Sequence, residues 1–127
     1  MDDKFSVIVD SWTEDNNPLL DSYEITVKDV EKIDDSLNGL RFVITGEIPG
    51  SERSDFEKMI VSHGGKCTLK ISPATDFLIV GLFTAFPDGY ESAKVQYAHK
   101  VISEGGKLKI INYTEFYSMF NLSSPEV

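Results

Sequence analysis

Leu40-Arg41-Phe42-Val43-Ile44-Thr45-Gly46, answered further along by Gly64-Gly65, is the stretch whose reading decides the fold. Its β-branched and aromatic residues predict a strand that runs straight into a Thr-Gly corner. Residues 51–63 follow with helical spacing, since Phe56, Met59, Ile60 and His63 fall at i, i+3, i+4 and i+7. Ser54-Asp55-Phe56-Glu57 has capping-box spacing near the start of that helix. The glycine pair then supplies a left-handed C-terminal cap. A strand delivering a hydroxyl and an unobstructed backbone N–H to the mouth of a helix is a setting that favours anions.

Working outward, residues 66–70 read as a short strand and Asp76-Phe77-Leu78-Ile79-Val80 as a strongly apolar one. Residues 82–89 form a loop carrying Phe83 and Phe86 ahead of Pro87-Asp88-Gly89. A second helix spans 90–103, with Tyr90, Ala93, Tyr97, Ala98, Val101 and Ile102 along one side, and Gly105-Gly106 ends it. A strand over 108–111 and a short helix with Tyr113, Phe116, Tyr117 and Phe120 complete the order β-α-β-β-α-β-α. Strands joined through helices imply an α/β fold with a four-stranded, mainly parallel sheet covered on both faces.

Before this unit, Phe5-Ser6-Val7-Ile8-Val9 and Tyr23-Glu24-Ile25-Thr26-Val27 read as two short strands around a turn at Asn16-Asn17-Pro18. They form either a β-hairpin added to the domain or the end of a preceding one. Residues 28–38 read as a polar linker whose C-terminal end can cap the next unit. The expected organisation is an acidic extension over 1–36, a domain over 37–121, and a frayed tail over 122–127.

The formal net charge of -9 argues against a nucleic-acid binder until it is divided along the chain. Residues 1–35 hold eleven acids and three lysines, leaving ten acids and nine bases for residues 36–127. The acidity therefore belongs to the N-terminal third, and the remainder is near neutral. Cys67 is the single cysteine, and His63 and His99 are the only histidines, which excludes an intramolecular disulfide and makes a zinc site an unpromising reading. Cys67 reads as a buried thiol in a strand. A reducing intracellular compartment is expected, as cytoplasm, nucleoid or nucleus. No run approaches the roughly 18 apolar residues of a membrane span. No nucleophile–base pair, metal cluster or nucleotide-binding glycine loop is visible, so neither catalysis nor a cofactor is expected.

The ordered set of Thr45-Gly46, Gly64-Gly65, the Thr75-Asp76-Phe77-Leu78-Ile79-Val80-Gly81 strand, Ala93-Lys94 and the closing aromatic helix resembles a BRCT domain. It is most similar to the replication and ligase type. That type is found in NAD-dependent DNA ligases, the replication factor C large subunit and bacterial exonuclease or polymerase III epsilon-like proteins. Many of these domains place a tryptophan in the last helix where this chain has Phe116, an aromatic able to fill the same slot.

The resemblance implies a phosphate pocket made of Thr45, the Gly46 N–H and Lys94. It implies that Arg53, in the first turn of the first helix, grips a DNA 5′-phosphate bidentately. One basic leg is missing, because Tyr90 and Glu91 stand where ligase-type domains carry a lysine. Lys66 and Lys70 are candidate backbone contacts to DNA, and Phe83 and Phe86 candidate contacts to a base or an apolar peptide side chain. The expected role is a non-catalytic module that binds DNA ends or nicks through a 5′-phosphate. The alternatives are a phosphopeptide or protein-interaction module with a phosphoprotein or replication or repair protein as partner, and a structural domain within a DNA-processing enzyme.

Overall fold

A computed structural model describes residues 24–87 and 89–122. Among them the elements run β1 (Arg41–Thr45), α1 (Arg53–Ser62), β2 (Lys66–Cys67), β3 (Phe77–Val80), α2 (Ala93–Ser103), β4 (Lys109–Asn112) and α3 (Tyr113–Met119). The sheet order is β2-β1-β3-β4, and every pair in it is parallel. Phe42 sits opposite Cys67 and Phe77, while Thr45 sits opposite Val80, which in turn faces Asn112. The chain therefore steps one way from β1 to β2 and the other way from β3 to β4. Right-handed crossovers stepping in opposite directions put α1 and α2 on opposite faces, with the topological switch between β1 and β3.

Strand alternation divides the core accordingly. Phe42, Ile44 and Ile79 point to the face covered by α1 and α3, where they meet Phe56, Ile60, Phe116 and Tyr117. Val43 and Leu78 point to the other face, against Val95, Ala98 and Val101 of α2. Each of these apolar side chains contributes about 1.5–3 kcal/mol on full burial. Phe116 is fully buried, its ring edge-on to Phe42 at 5.6 Å and tilted against Phe56 at 5.3 Å. It occupies the central slot expected of a tryptophan.

Several boundaries differ from the sequence expectation. β2 spans two residues rather than five: the Thr68 N–H makes the last bond to β1, on the Phe42 carbonyl at 2.9 Å, its outer edge bridges Glu24, and its hydroxyl folds onto the Lys70 carbonyl at 3.1 Å. α2 begins at Ala93, capped by Ser92, and not at Tyr90. The capping box at Ser54–Glu57 is not formed: Ser54 is already inside α1, whose N-cap is Glu52 without a side-chain hydrogen bond. A true box closes instead at α3, where the Glu115 N–H donates to Asn112 Oδ1 at 2.7 Å and the Asn112 N–H donates to Glu115 Oε1 at 2.9 Å.

The end of α1 is tied down twice. Gly64, at φ +93°, donates its N–H to Val61, and the Gly65 N–H returns to Ile60, both at 3.0 Å. The approach to β1 then covers what is left of this helix end, with Ile33 N–H on the Ser62 carbonyl at 2.6 Å and Leu37 N–H on the His63 carbonyl at 2.8 Å. Leu37 is fully buried in the core. His63 Nδ1 meets Asp34 Oδ1 at 2.8 Å, which gives this histidine a structural place. Upstream, the Ile25 N–H donates to the Cys67 carbonyl at 2.8 Å and so covers the outer edge of β2. The strand expected at Phe5–Val9, its hairpin, and the tail beyond residue 122 lie outside the described residues.

Candidate phosphate-binding site

The carboxyl ends of β1 and β3 meet at the switch point, where α/β sheets bind their ligands. Thr45 is the last residue of β1 and shares its face with Val43, so its side chain turns toward α2. There Thr45 Oγ1 and Ser92 Oγ lie 2.9 Å apart, both residues buried. Ser92 Oγ also accepts the Val95 N–H at 3.3 Å as the N-cap of α2. One hydroxyl pair thus locks the end of a strand to the beginning of a helix.

Gly46 turns the chain at φ +87°. Beyond it the backbones of β1 and β3 change from parallel pairing to an antiparallel bridge. The Glu47 N–H donates to Leu82 at 2.8 Å and the Leu82 N–H returns to Glu47 at 2.7 Å. The pinch is so close that a Cβ on Gly81 would lie 2.1 Å from the Glu47 carbonyl oxygen. Only glycine is accommodated at both points.

The two helices that begin near this corner each carry a cation in the first turn. Arg53, the first residue of α1, reaches back over the end of β1, donating to the Gly46 carbonyl at 2.7 Å and to the Ile44 carbonyl at 3.4 Å. Lys94 comes from the first turn of α2. Burial, and then the charge of Arg53, push its ammonium below the ordinary lysine range. Cations at helix N-termini oppose the macrodipole, so an anion between them is doubly favoured. Beside Arg53 a groove of about 500 Å³ runs along Gly46, Ile48 and Ser51, with the acids Glu47 and Glu52 on its rim.

Of the remaining candidates, Lys70 lies beside Lys94, the two lining one small cleft of about 240 Å³ with Ile71, Ala93 and Tyr97. Lys66 does not join them. It pairs in register with Arg41 at the amino end of the sheet, about 13 Å of strand away from Thr45. Its ammonium lies 3.7 Å from Glu24. Phe83 is half-buried beside Gly46, whereas Phe86 and Tyr90 are 49% and 40% exposed. Ser92 escaped the sequence reading. Its signal was a serine directly ahead of the apolar rhythm that starts at Ala93, a standard N-cap position. Among the described residues no group of three His, Cys, Asp or Glu side chains could hold a metal ion, and no helix is long and apolar enough to cross a membrane.

Comparison with known proteins agrees with this architecture. A DNA ligase of Roseiflexus sp. (strain RS-1) is 39% identical over 77 residues, 60% of this chain and 10% of the ligase. A DNA ligase of Chloroflexus aurantiacus (strain ATCC 29366 / DSM 635 / J-10-fl) is 37% identical over 81 residues, 63% of this chain and 11% of the ligase. That of Haloferax volcanii is 48% identical over a shorter 52 residues, 41% of this chain and 7% of the ligase. The chain thus spans about a tenth of the length of the relatives it matches. Residues 33–116 match the BRCA1 C Terminus (BRCT) domain, starting where Ile33 and Asp34 dock on the end of α1. With that match and the parallel sheet between α1, α2 and α3, the chain belongs to the BRCT family.

Proposed function

We propose that this domain is a non-catalytic BRCT module of a DNA-processing protein and that it binds DNA ends or nicks through a 5′-phosphate. The observation that supports the reading is Arg53 seated on the Gly46 carbonyl, with Lys94 two residues beyond the Ser92 that meets Thr45. Bringing two like charges together, one of them half-buried, costs free energy that a bound phosphate returns. Arg53, anchored on the Ile44 and Gly46 carbonyls, keeps further N–H groups for phosphate oxygens, and Lys94 supplies a point charge. Thr45 and Gly46 supply a hydroxyl and a backbone approach free of any Cβ. The likeness to DNA ligases supports DNA as the bearer of the phosphate.

The test compares duplex DNA with and without a 5′-phosphate by fluorescence anisotropy at two salt concentrations. The wild-type domain binds the phosphorylated end more tightly, and its affinity falls steeply with salt. A charge-assisted hydrogen bond is worth about 1.5–3 kcal/mol, so Arg53→Ala lowers affinity for the phosphorylated end by about 10- to 150-fold. It leaves the unphosphorylated end nearly unchanged. Equal losses on both ends would refute the role of Arg53.

A further inference from the structure

An aromatic step adjoins the phosphate corner. The Phe83 ring lies so near Gly46 that a Cβ there would be 3.1 Å from Phe83 Cε2. Phe83 meets Tyr90 edge-on at 5.2 Å, and Tyr90 stacks on Phe86 at 4.2 Å with the ring planes 15° apart. Phe86 and Tyr90 are nevertheless 49% and 40% exposed. Two large rings held parallel, with their outer surface open to water, are neither core nor ordinary loop. The pair is organised before anything binds, so a flat ligand added to it meets little ordering cost.

Resting on the 5′-phosphate reading above, we infer that the Phe86–Tyr90 platform stacks the terminal nucleobase of the DNA whose phosphate lies at Thr45, Gly46, Arg53 and Lys94. Continuity of the two surfaces through Phe83 is the argument for this occupant. A nucleotide joins a dianionic group and a π-face within one residue, and this surface joins a cation pair and an aromatic platform within one corner. The neighbouring carboxylates are engaged locally. Glu47 accepts from Thr84 Oγ1 at 3.0 Å, and Glu91 lies 3.5 Å from His99. Stacking is tolerant of base identity, so the platform reads the presence of a base at the end and not its sequence.

The experiment uses the whole 127-residue chain and four anisotropy probes. These are duplexes whose 5′-terminal nucleotide carries a base or a stable abasic sugar, each with and without the 5′-phosphate. Removing the base weakens wild-type binding to the phosphorylated probe by about tenfold, within the range of one stacked base. Phe86→Ala and Tyr90→Ala abolish this difference while still preferring the phosphate, and Phe86→Trp keeps it. Circular dichroism checks that each variant is folded. A wild-type domain indifferent to the base overturns the platform. So does a difference that survives both alanine variants, which returns the rings to a protein contact. Loss of the base effect with the phosphate preference intact overturns the platform alone, whereas loss of the phosphate preference overturns the preceding reading and this one with it.

Discussion

Replacing Gly81 by alanine should damage the domain far more than the size of a methyl group suggests. The new Cβ would lie 2.1 Å from the Glu47 carbonyl oxygen and 2.7 Å from its carbon, both main-chain atoms that no rotamer change can move. Restoring an ordinary contact of about 3.5 Å requires the two backbones to separate by more than about 1 Å. The two bonds of the Glu47–Leu82 bridge, at 2.7 and 2.8 Å, then stretch beyond hydrogen-bonding range. Two backbone bonds at about 0.5–1.5 kcal/mol each, plus overpacking of about 1–3 kcal/mol, bring the loss to roughly 2–6 kcal/mol. For a domain of this size even about 2 kcal/mol lowers Tm by about 8–16 °C.

Gly39→Ala is the control, since Gly39 has φ +81° with nothing within 4 Å. It carries backbone strain without a clash and costs about 1–2 kcal/mol. Thermal unfolding followed by circular dichroism, with urea titration as a check, compares the two variants. A Gly81→Ala protein that melts within about 2 °C of wild type, or no lower than Gly39→Ala, would refute the pinch as described.

Three further expectations test other parts of the structure. Thr45→Val removes one partner of the buried hydroxyl pair and Ser92→Ala removes both that bond and a helix cap. The single variants lose about 1 and 1–2 kcal/mol, with a coupling energy above about 0.5 kcal/mol in a double-mutant cycle, and strict additivity would count against the contact. The Ser36 N–H, the His63 ring and the Ser36 hydroxyl hold the Asp34 carboxyl down at about 2, below its ordinary 3.8. Its contribution to stability is therefore full above pH 4 and disappears as pH falls through about 2. Wild type should exceed Asp34→Asn in stability by a constant margin above pH 4, and acid titration should show that margin shrink as pH falls through about 2. Burial, with the nearby Glu57 charge adding to it, pushes the Cys67 thiol up to about 12, so a thiol reagent at pH 8 modifies it only as fast as the domain unfolds. Rapid labelling of the native protein would contradict its burial.

The fold was legible in the sequence because its signals are local. Phe42 to Thr45 alternate between two faces, and Gly64-Gly65 and Gly105-Gly106 stop their helices where their backbone freedom is needed. The sequence suggests a capping box at Ser54–Glu57 and hides the true one at Asn112–Glu115, because the same spacing occurs at both and only tertiary packing chooses between them. The site was legible only in part. Thr45 and Ser92 are 47 residues apart, and nothing in either neighbourhood announces the other. Lys66 looked equivalent to Lys70 as a surface lysine, yet the register with Arg41 sends it to the opposite end of the sheet.

The antiparallel bridge from Glu24 to Thr68 fixes a direction of travel. Because β2 is parallel to β1, a chain running against β2 comes down from the carboxyl ends of the strands, on the side where Thr45 lies. At the other terminus, α3 leaves Asn112 and returns along the sheet until Phe120 packs on Phe42 and Phe77, near the amino ends of the strands. The described chain thus enters along the outer edge of β2 and ends near the amino ends of the strands. A fluorophore, tether or surface anchor carried on the Phe120–Leu122 end of α3 therefore stands clear of Thr45.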